Sequence, residues 1–113
     1  LIQQAENING VRVIVHTVKD TDMNALKDLG DALRQKTKQT VGLVAAQNGE
    51  KLVFMVFVTD DLLKRYKAGD LIREVAKAAG GGGGGRPHLA TAGAKDANRL
   101  EDALNRFREL LKA

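Results

Sequence analysis

Two periods of apolar residues divide the chain. From Val11 to Val18 they alternate, with Val11, Val13 and Val15 on one face and Arg12, Ile14 and His16 on the other, which predicts a strand. Thr21 or Asp22 is placed to cap a helix running to about Lys36, where Met23, Leu26, Leu29 and Leu33 form one stripe. The opposite face of that helix mixes Lys27, Asp28, Asp31, Arg34 and Lys36 and reads as solvated. Val41 to Gln47 is nearly all apolar, and Asn48-Gly49 predicts a two-residue hairpin into a strand over Lys51–Val58. Leu52 to Val58 shows no alternation, as expected of a central strand covered on both faces.

The second half reads as mostly helical. Thr59 or Asp60 starts a short basic helix over Asp61–Lys67, and Asp70 is placed to cap the next. Leu71, Ile72, Val75, Ala76 and Ala79 form its inward stripe, with Arg73 and Lys77 outside, until Gly80 ends it. His88 to Ala94 reads as a short edge strand. Asp96 then caps a final helix whose Leu100, Ala103, Leu104, Phe107, Leu110 and Leu111 make a full apolar stripe. Arg106, Arg108 and Lys112 near its end suit the negative pole of the helix dipole. Before the first strand, Ile2, Ala5 and Ile8 suggest the frayed end of a linker helix over residues 1–10, leaving 11–113 as the globular part. The pattern thus predicts one α/β domain: a small mixed β-sheet of about four strands packed with helices.

One stretch contributes nothing to that pattern. Gly80, Gly81, Gly82, Gly83, Gly84 and Gly85 precede Arg86-Pro87-His88. Ordering each glycine costs about 0.5–1 kcal/mol more than ordering an alanine. Such a run is a tether, a close-packing turn, or a bare backbone that a ligand needs. Successive N–H groups in a turning glycine segment can form an anion-binding concavity, and a neighbouring guanidinium suits phosphate. No G-K-[S/T] follows the run, and it leaves the end of a helix rather than joining a strand to a helix start, so neither common nucleotide fingerprint applies. The helix end behind it carries the wrong dipole for an anion, so Lys77 and Arg86 would have to hold one.

Charge sharpens this reading. Residues 1–60 carry seven Lys/Arg and seven Asp/Glu, whereas residues 61–113 carry eleven and seven, so the whole net charge of +4 lies in the half that contains the glycines. A basic half suggests a polyanion partner, against the plainer reading of a solvated surface. The absence of cysteine excludes disulfides and thiolate chemistry. No apolar run approaches the roughly 18 residues of a membrane span, and no signal-peptide pattern opens the chain. A start at Leu1 without methionine suggests a piece of a longer protein.

Catalytic groupings are poor. His16 and His88 do not have metal-ligand spacing, and a strand histidine such as His16 is usually structural. His88, beside Arg86, is a candidate for a phosphate or base contact. Helix starts explain Asp60 and Asp61, and no nucleophile sits beside a base. Phe54, Phe57 and Phe107 read as core, leaving Tyr66 as the one candidate stacking ring, so recognition of nucleic-acid shape and backbone fits better than base stacking. The candidate contacts are the glycine run with Arg86, His88, Lys77 and Arg73, with a weaker field from Lys64, Arg65 and Lys67.

Val58-Thr59-Asp60, Lys67-Ala68-Gly69-Asp70-Leu71-Ile72, and Gly80 to Gly85-Arg86-Pro87-His88-Leu89-Ala90-Thr91-Ala92-Gly93 together resemble the C-terminal DHH-associated domain of bacterial alanyl-tRNA synthetases, over most of the chain from about Val11. The chain departs from that pattern at Gly93-Ala94, where the family commonly has Gly-Gly, and at Thr91, where it often has Gln. The resemblance implies a non-catalytic cytoplasmic domain that binds the elbow of tRNA-Ala and couples the aminoacylation and editing domains of its parent chain. It implies no cofactor in this fragment; the ATP, magnesium, alanine and editing-domain zinc belong to other parts of such a synthetase. An alternative is the substrate-gripping half of a DHH phosphoesterase. A third reading is an oligomerisation module, a homodimer formed through the amphipathic final helix and the truncated helix that opens the chain.

Overall fold

The computed structural model describes residues 6–112. In chain order the elements are β1 (Glu6–Ile8), β2 (Val11–Lys19), α1 (Met23–Lys36), β3 (Thr40–Asn48), β4 (Lys51–Val58), α2 (Ala68–Ala78), β5 (Gly82–Gly85), β6 (Leu89–Ala94) and α3 (Leu100–Lys112), with 3-10 turns at Asp60–Leu62 and Ala97–Arg99. The strands form one sheet in the order β1-β2-β3-β4-β6-β5. β2 and β3 are parallel, joined by α1, and the other neighbours are antiparallel.

The sheet has six strands where about four were expected, and both additions are at its edges. Glu6–Ile8 is a strand, not the end of a linker helix; the rest of that expected helix, through Ala5, lies outside the described residues. Asn9 and Gly10 take φ of +54° and +79° and close a two-residue turn, so β1 folds back onto β2. Asn9 Nδ2 also donates to the Leu111 carbonyl (2.9 Å) and satisfies an orphan acceptor at the end of α3. The other addition is the glycine run itself, which makes β6 an interior strand rather than the expected edge.

Helices cover both faces. On one side α1 sets Leu26 and Leu33 against Ile14, Val44, Ala46, Met55 and Phe57. A Cβ on Gly30 would come within 2.7 Å of Met55 Sδ and Leu89 Cδ1, so a bare residue at that position lets α1 lie close to the sheet. On the other side α2 and α3 bury Ile72, Val75, Phe107 and Leu111 against Val13, Leu43, Phe54 and Val56. β4 is buried on both faces, as its unbroken apolar run predicts. The apolar stripe of α3 is used within the domain: Ala103, Leu104, Phe107 and Leu111 are all buried. Burial of that order contributes roughly 1.5–3 kcal/mol per large side chain.

Several local expectations change. Arg34 is not simply solvated: its Nε donates to the Val58 carbonyl (3.0 Å) and its guanidinium pairs with Asp60. The basic helix over Asp61–Lys67 shrinks to the 3-10 turn Asp60–Leu62. Asp61 turns back to accept from the Thr59 hydroxyl (2.6 Å) and the Gln39 N–H (2.9 Å), tying the start of β3 to the end of β4. α2 starts at Ala68 with Lys67 at its N-cap, so Asp70 sits in its first turn instead of capping it. The β3–β4 loop is Gly49-Glu50, because Asn48 stays in the ladder opposite Lys51. The Asn48 amide instead accepts from the Thr21 N–H and donates to the Thr21 carbonyl, both at 3.0 Å, fixing the entry to α1.

Candidate nucleic-acid interface

The glycine run is built, not loose. α2 ends in a Schellman motif: Gly80 takes φ of +76°, its N–H donates to Lys77 O (3.1 Å), and the Gly81 N–H donates to Ala76 O (2.7 Å). The chain then runs back along α2 as β5, pairing Gly82 with Gly93, Gly83 with Ala92, Gly84 with Thr91 and Gly85 with Ala90. Arg86, Pro87 and His88 form the hairpin loop, in which the Arg86 N–H donates to Leu89 O (3.1 Å) and Pro87 O accepts from the Ala68 N–H (2.8 Å). The second bond ties the hairpin to the start of α2. Gly83, Gly84 and Gly85 therefore approach the positive end of that helix, and only the start of the run faces the unfavourable pole.

Alternation along the ladder gives the glycines two different jobs. The Arg86–Leu89 bond makes that pair a hydrogen-bonded one, and the Val58 N–H donation to His88 O (3.0 Å) on the β4 side agrees. It follows that Gly82 and Gly84 turn their N–H and C=O groups into the ladder, and Gly83 and Gly85 turn theirs outward. Gly81, Gly83 and Gly85 have no room for a side chain. An added Cβ would sit 2.0 Å from Gly93 O at Gly81, 2.4 Å from Ala92 Cβ at Gly83 and 2.7 Å from Ala90 Cα at Gly85. A Cβ on Gly69 of α2 would meet Gly85 O at 2.8 Å, so helix and strand also need bare backbone where they touch. At Gly82 and Gly84, by contrast, an added Cβ meets nothing within 4 Å. Close packing accounts for the first set and not for the second.

A groove lies on each side of this strand. The one toward α2 is lined by Lys67, Gly69, Asp70, Arg73 and Gly83 to Gly85, and continues past Glu74 and Lys77 to Gly81 and Gly82. Of its cations, Arg73 pairs with Asp70 and Lys67 Nζ donates to Leu63 O (3.2 Å), while Lys77 pairs with no carboxylate among the described residues; its Glu74 is taken by Arg106 (3.1 Å). The groove toward α1 is lined by Lys27, Asp31, Gly84, Arg86, His88 and Thr91. Lys27, Lys77 and Arg86 have no carboxylate within 4.0 Å among the described residues.

The predicted residues are thus divided. Lys67, Arg73 and Lys77 flank one side of the glycine strand, and Arg86 and the half-buried His88 flank the other. Lys64 and Arg65 line a further hollow with Tyr66 and Leu110, which adjoins the α2-side groove through Lys67, Asp70 and Glu74. Tyr66 is no free stacking ring, because it packs on the core and the Arg65 guanidinium lies 5.2 Å from its centroid. Sequence reasoning missed Lys27, which a helical pattern assigns to a solvated face. The signal was Gly30 three residues on, which shows that this turn of α1 presses close to β6.

A bare, hydrogen-bonded edge strand thus runs between two grooves that carry cations. The chain belongs to the DHHA1 domain family, whose model matches residues 10–113. Over its length it is homologous to the C-terminal domain of alanyl-tRNA synthetase. The alanine–tRNA ligase of Geobacillus thermodenitrificans is 44% identical over 106 residues, which is 93% of this chain and 12% of that protein. That of Alkaliphilus metalliredigens is 40% identical over 113 residues, covering 99% of this chain and 13% of that protein. The crystal structure of the C-Ala domain from Aquifex aeolicus alanyl-tRNA synthetase superposes with a TM-score of 0.92 at 32% identity, covering 97% of this chain and 99% of that one. The chain therefore spans about an eighth of the ligases it matches. A DHH-domain protein described as a member of a family of ribosomal proteins shares the fold at a TM-score of 0.63 and 16% identity, over 96% of this chain and 27% of that one.

Proposed function

We propose that this domain grips the elbow of tRNA-Ala by shape and phosphate contacts, as the non-catalytic C-terminal part of a cytoplasmic alanyl-tRNA synthetase. One tRNA held here stays bound while the aminoacylation and editing domains of the parent chain act on it in turn. The observation that carries the reading is the glycine edge strand, with Lys77 at its start and Arg86 at its end, both lacking a carboxylate partner among the described residues. The similarity to alanine–tRNA ligases supports the choice of RNA over other polyanions.

The test is equilibrium binding of transcribed tRNA-Ala across a salt series. Neutralising each phosphate contributes about 0.7–0.9 to the slope of log affinity against log salt, so affinity falls steeply as salt rises. Arg86→Ala weakens binding and lowers that slope by about one such increment. Affinity at low salt no better than for a neutral polymer refutes the reading, and an unchanged Arg86→Ala affinity removes that residue from the contact.

A further inference from the structure

We infer that the RNA backbone is received on the α1 side of the glycine strand, in the groove between Lys27 and Arg86, and not on the α2 side. This deepens the proposed tRNA binding and rests on it. Ladder partners share a face, so Gly82 and Gly84 stand beside Gly93 and Thr91 on the α1 side, and Gly83 and Gly85 stand beside Ala92 and Ala90 on the other. On the α2 side the missing side chains are explained by the protein itself, since Ala90, Ala92 and Ala94 are buried against that layer and leave no space. On the α1 side nothing in the fold requires glycine. Gly82 and Gly84 have open space above them and no left-handed φ.

Two glycines that weaken an exposed strand and are not needed for packing leave a smooth strip where a ligand can come within van der Waals distance of the sheet. Lys27 and Arg86 line this groove without carboxylate partners among the described residues. On the α2 side Arg73 is held by Asp70 and Lys67 Nζ donates to the Leu63 carbonyl, while Lys77 is also without a carboxylate among the described residues. The bare face of Gly82 and Gly84, and not charge, therefore selects the α1 side. Asp31 also lines the α1 groove and carries the opposite sign. Phosphates are therefore held toward the two cations, and the ligand groups beside Asp31 and the Thr91 hydroxyl are donors such as ribose 2′-OH. Lys27 becomes a contact residue, and Gly84 the point of closest approach.

The experiment measures tRNA-Ala binding by the whole chain and by Gly84→Val, Lys27→Ala and Arg73→Ala, with thermal melting of each. A Cβ at 84 meets nothing within 4 Å and valine favours the strand, so the variant is expected to melt at or above the wild-type temperature. The inference expects affinity to fall about tenfold in Gly84→Val, and expects Lys27→Ala to lower the salt slope by about 0.7–0.9 while Arg73→Ala stays within about twofold. Should Gly84→Val fold poorly, Lys27→Ala against Arg73→Ala decides alone. Wild-type binding with Gly84→Val and Lys27→Ala both within twofold overturns the inference and leaves the tRNA function standing. A larger loss in Arg73→Ala than in Lys27→Ala places the RNA on the α2 side and also overturns it. A wild-type chain that does not bind removes both.

Discussion

Alanine at Gly83 and alanine at Gly84 should move stability in opposite directions, although the residues are adjacent in one exposed strand. At Gly83 a new Cβ falls 2.4 Å from Ala92 Cβ, 2.5 Å from Ala92 Cα and 2.6 Å from Thr91 O. These are backbone atoms and a Cβ, so no rotamer change relieves the contact. β5 must move away from β6 by about 1 Å or more to restore an ordinary 3.4–4 Å separation, which strains the ladder. Overpacking of this kind costs about 1–3 kcal/mol. At Gly84 the new methyl meets nothing within 4 Å, and the smaller freedom of the unfolded chain stabilises the fold by about 0.4–1 kcal/mol. The variants should therefore differ by about 1.5–4 kcal/mol, or roughly 5–15 °C in melting temperature at this chain length.

Because β5 is an edge strand, it can also detach before the domain unfolds. That limits the melting shift and moves the signal into hydrogen exchange. The Thr91 and Gly93 amides face β5 and should exchange faster in Gly83→Ala and at the wild-type rate or slower in Gly84→Ala. Thermal melting by circular dichroism and exchange by NMR read the two effects. Equal melting temperatures together with equal protection at Thr91 and Gly93 would show that the alternation assigned to the glycine strand is wrong.

Gly42→Ala places a Cβ 2.0 Å from the Phe57 ring in the centre of the sheet, where nothing can detach. It should cost about 3 kcal/mol, seen as a lower denaturant midpoint, and Phe57→Leu in the same chain should recover part of it. The Thr59 hydroxyl and the Gln39 N–H hold the Asp61 carboxyl below its ordinary value of 3.8. A depressed carboxylate stabilises the fold above its unfolded value, and that contribution is lost as pH falls through the folded one. The melting temperature of wild type should therefore exceed that of Asp61→Asn at pH 7, with the gap closing below about pH 3.8. A gap independent of pH from 7 to 2.5 would rule out the charge as its cause.

What sequence reasoning recovered and missed follows from the range of the forces involved. β2, α1, β4, α2 and α3 were legible because each buries a face, and burial imposes a period that survives without knowledge of neighbours. β1 was missed because three residues carry too little pattern, and their pairing depends on the Asn9-Gly10 turn. The helix expected over Asp61–Lys67 failed through long-range competition: Asp60 and Asp61, good helix starters, are taken by Arg34 and by Gln39, more than twenty residues away. The candidate site was half legible. That the glycines mattered followed from their cost, but periodicity cannot register a strand without side chains, so β5 was invisible and with it the grouping of Lys27 with Arg86.

The glycine strand also joins two roles that a run of identical residues hides from view. Alternate glycines are needed so that β5 can lie against β6 and α2, and this close seat makes the strand rigid enough to present the others. A loose glycine tether would have to lose its freedom on binding, at about 1–2 kcal/mol per residue ordered. Here that entropy is lost on folding, in exchange for ladder hydrogen bonds and the Schellman cap at Gly80 and Gly81. A ligand meeting Gly82 and Gly84 therefore finds a surface already fixed, so affinity depends on charge and fit and not on induced order. Binding should then show little change in hydrogen exchange along Gly82–Gly85 beyond direct shielding. Ordering of that segment only when RNA is added would mean that the packing contacts of Gly81, Gly83 and Gly85 do not hold the free strand in place.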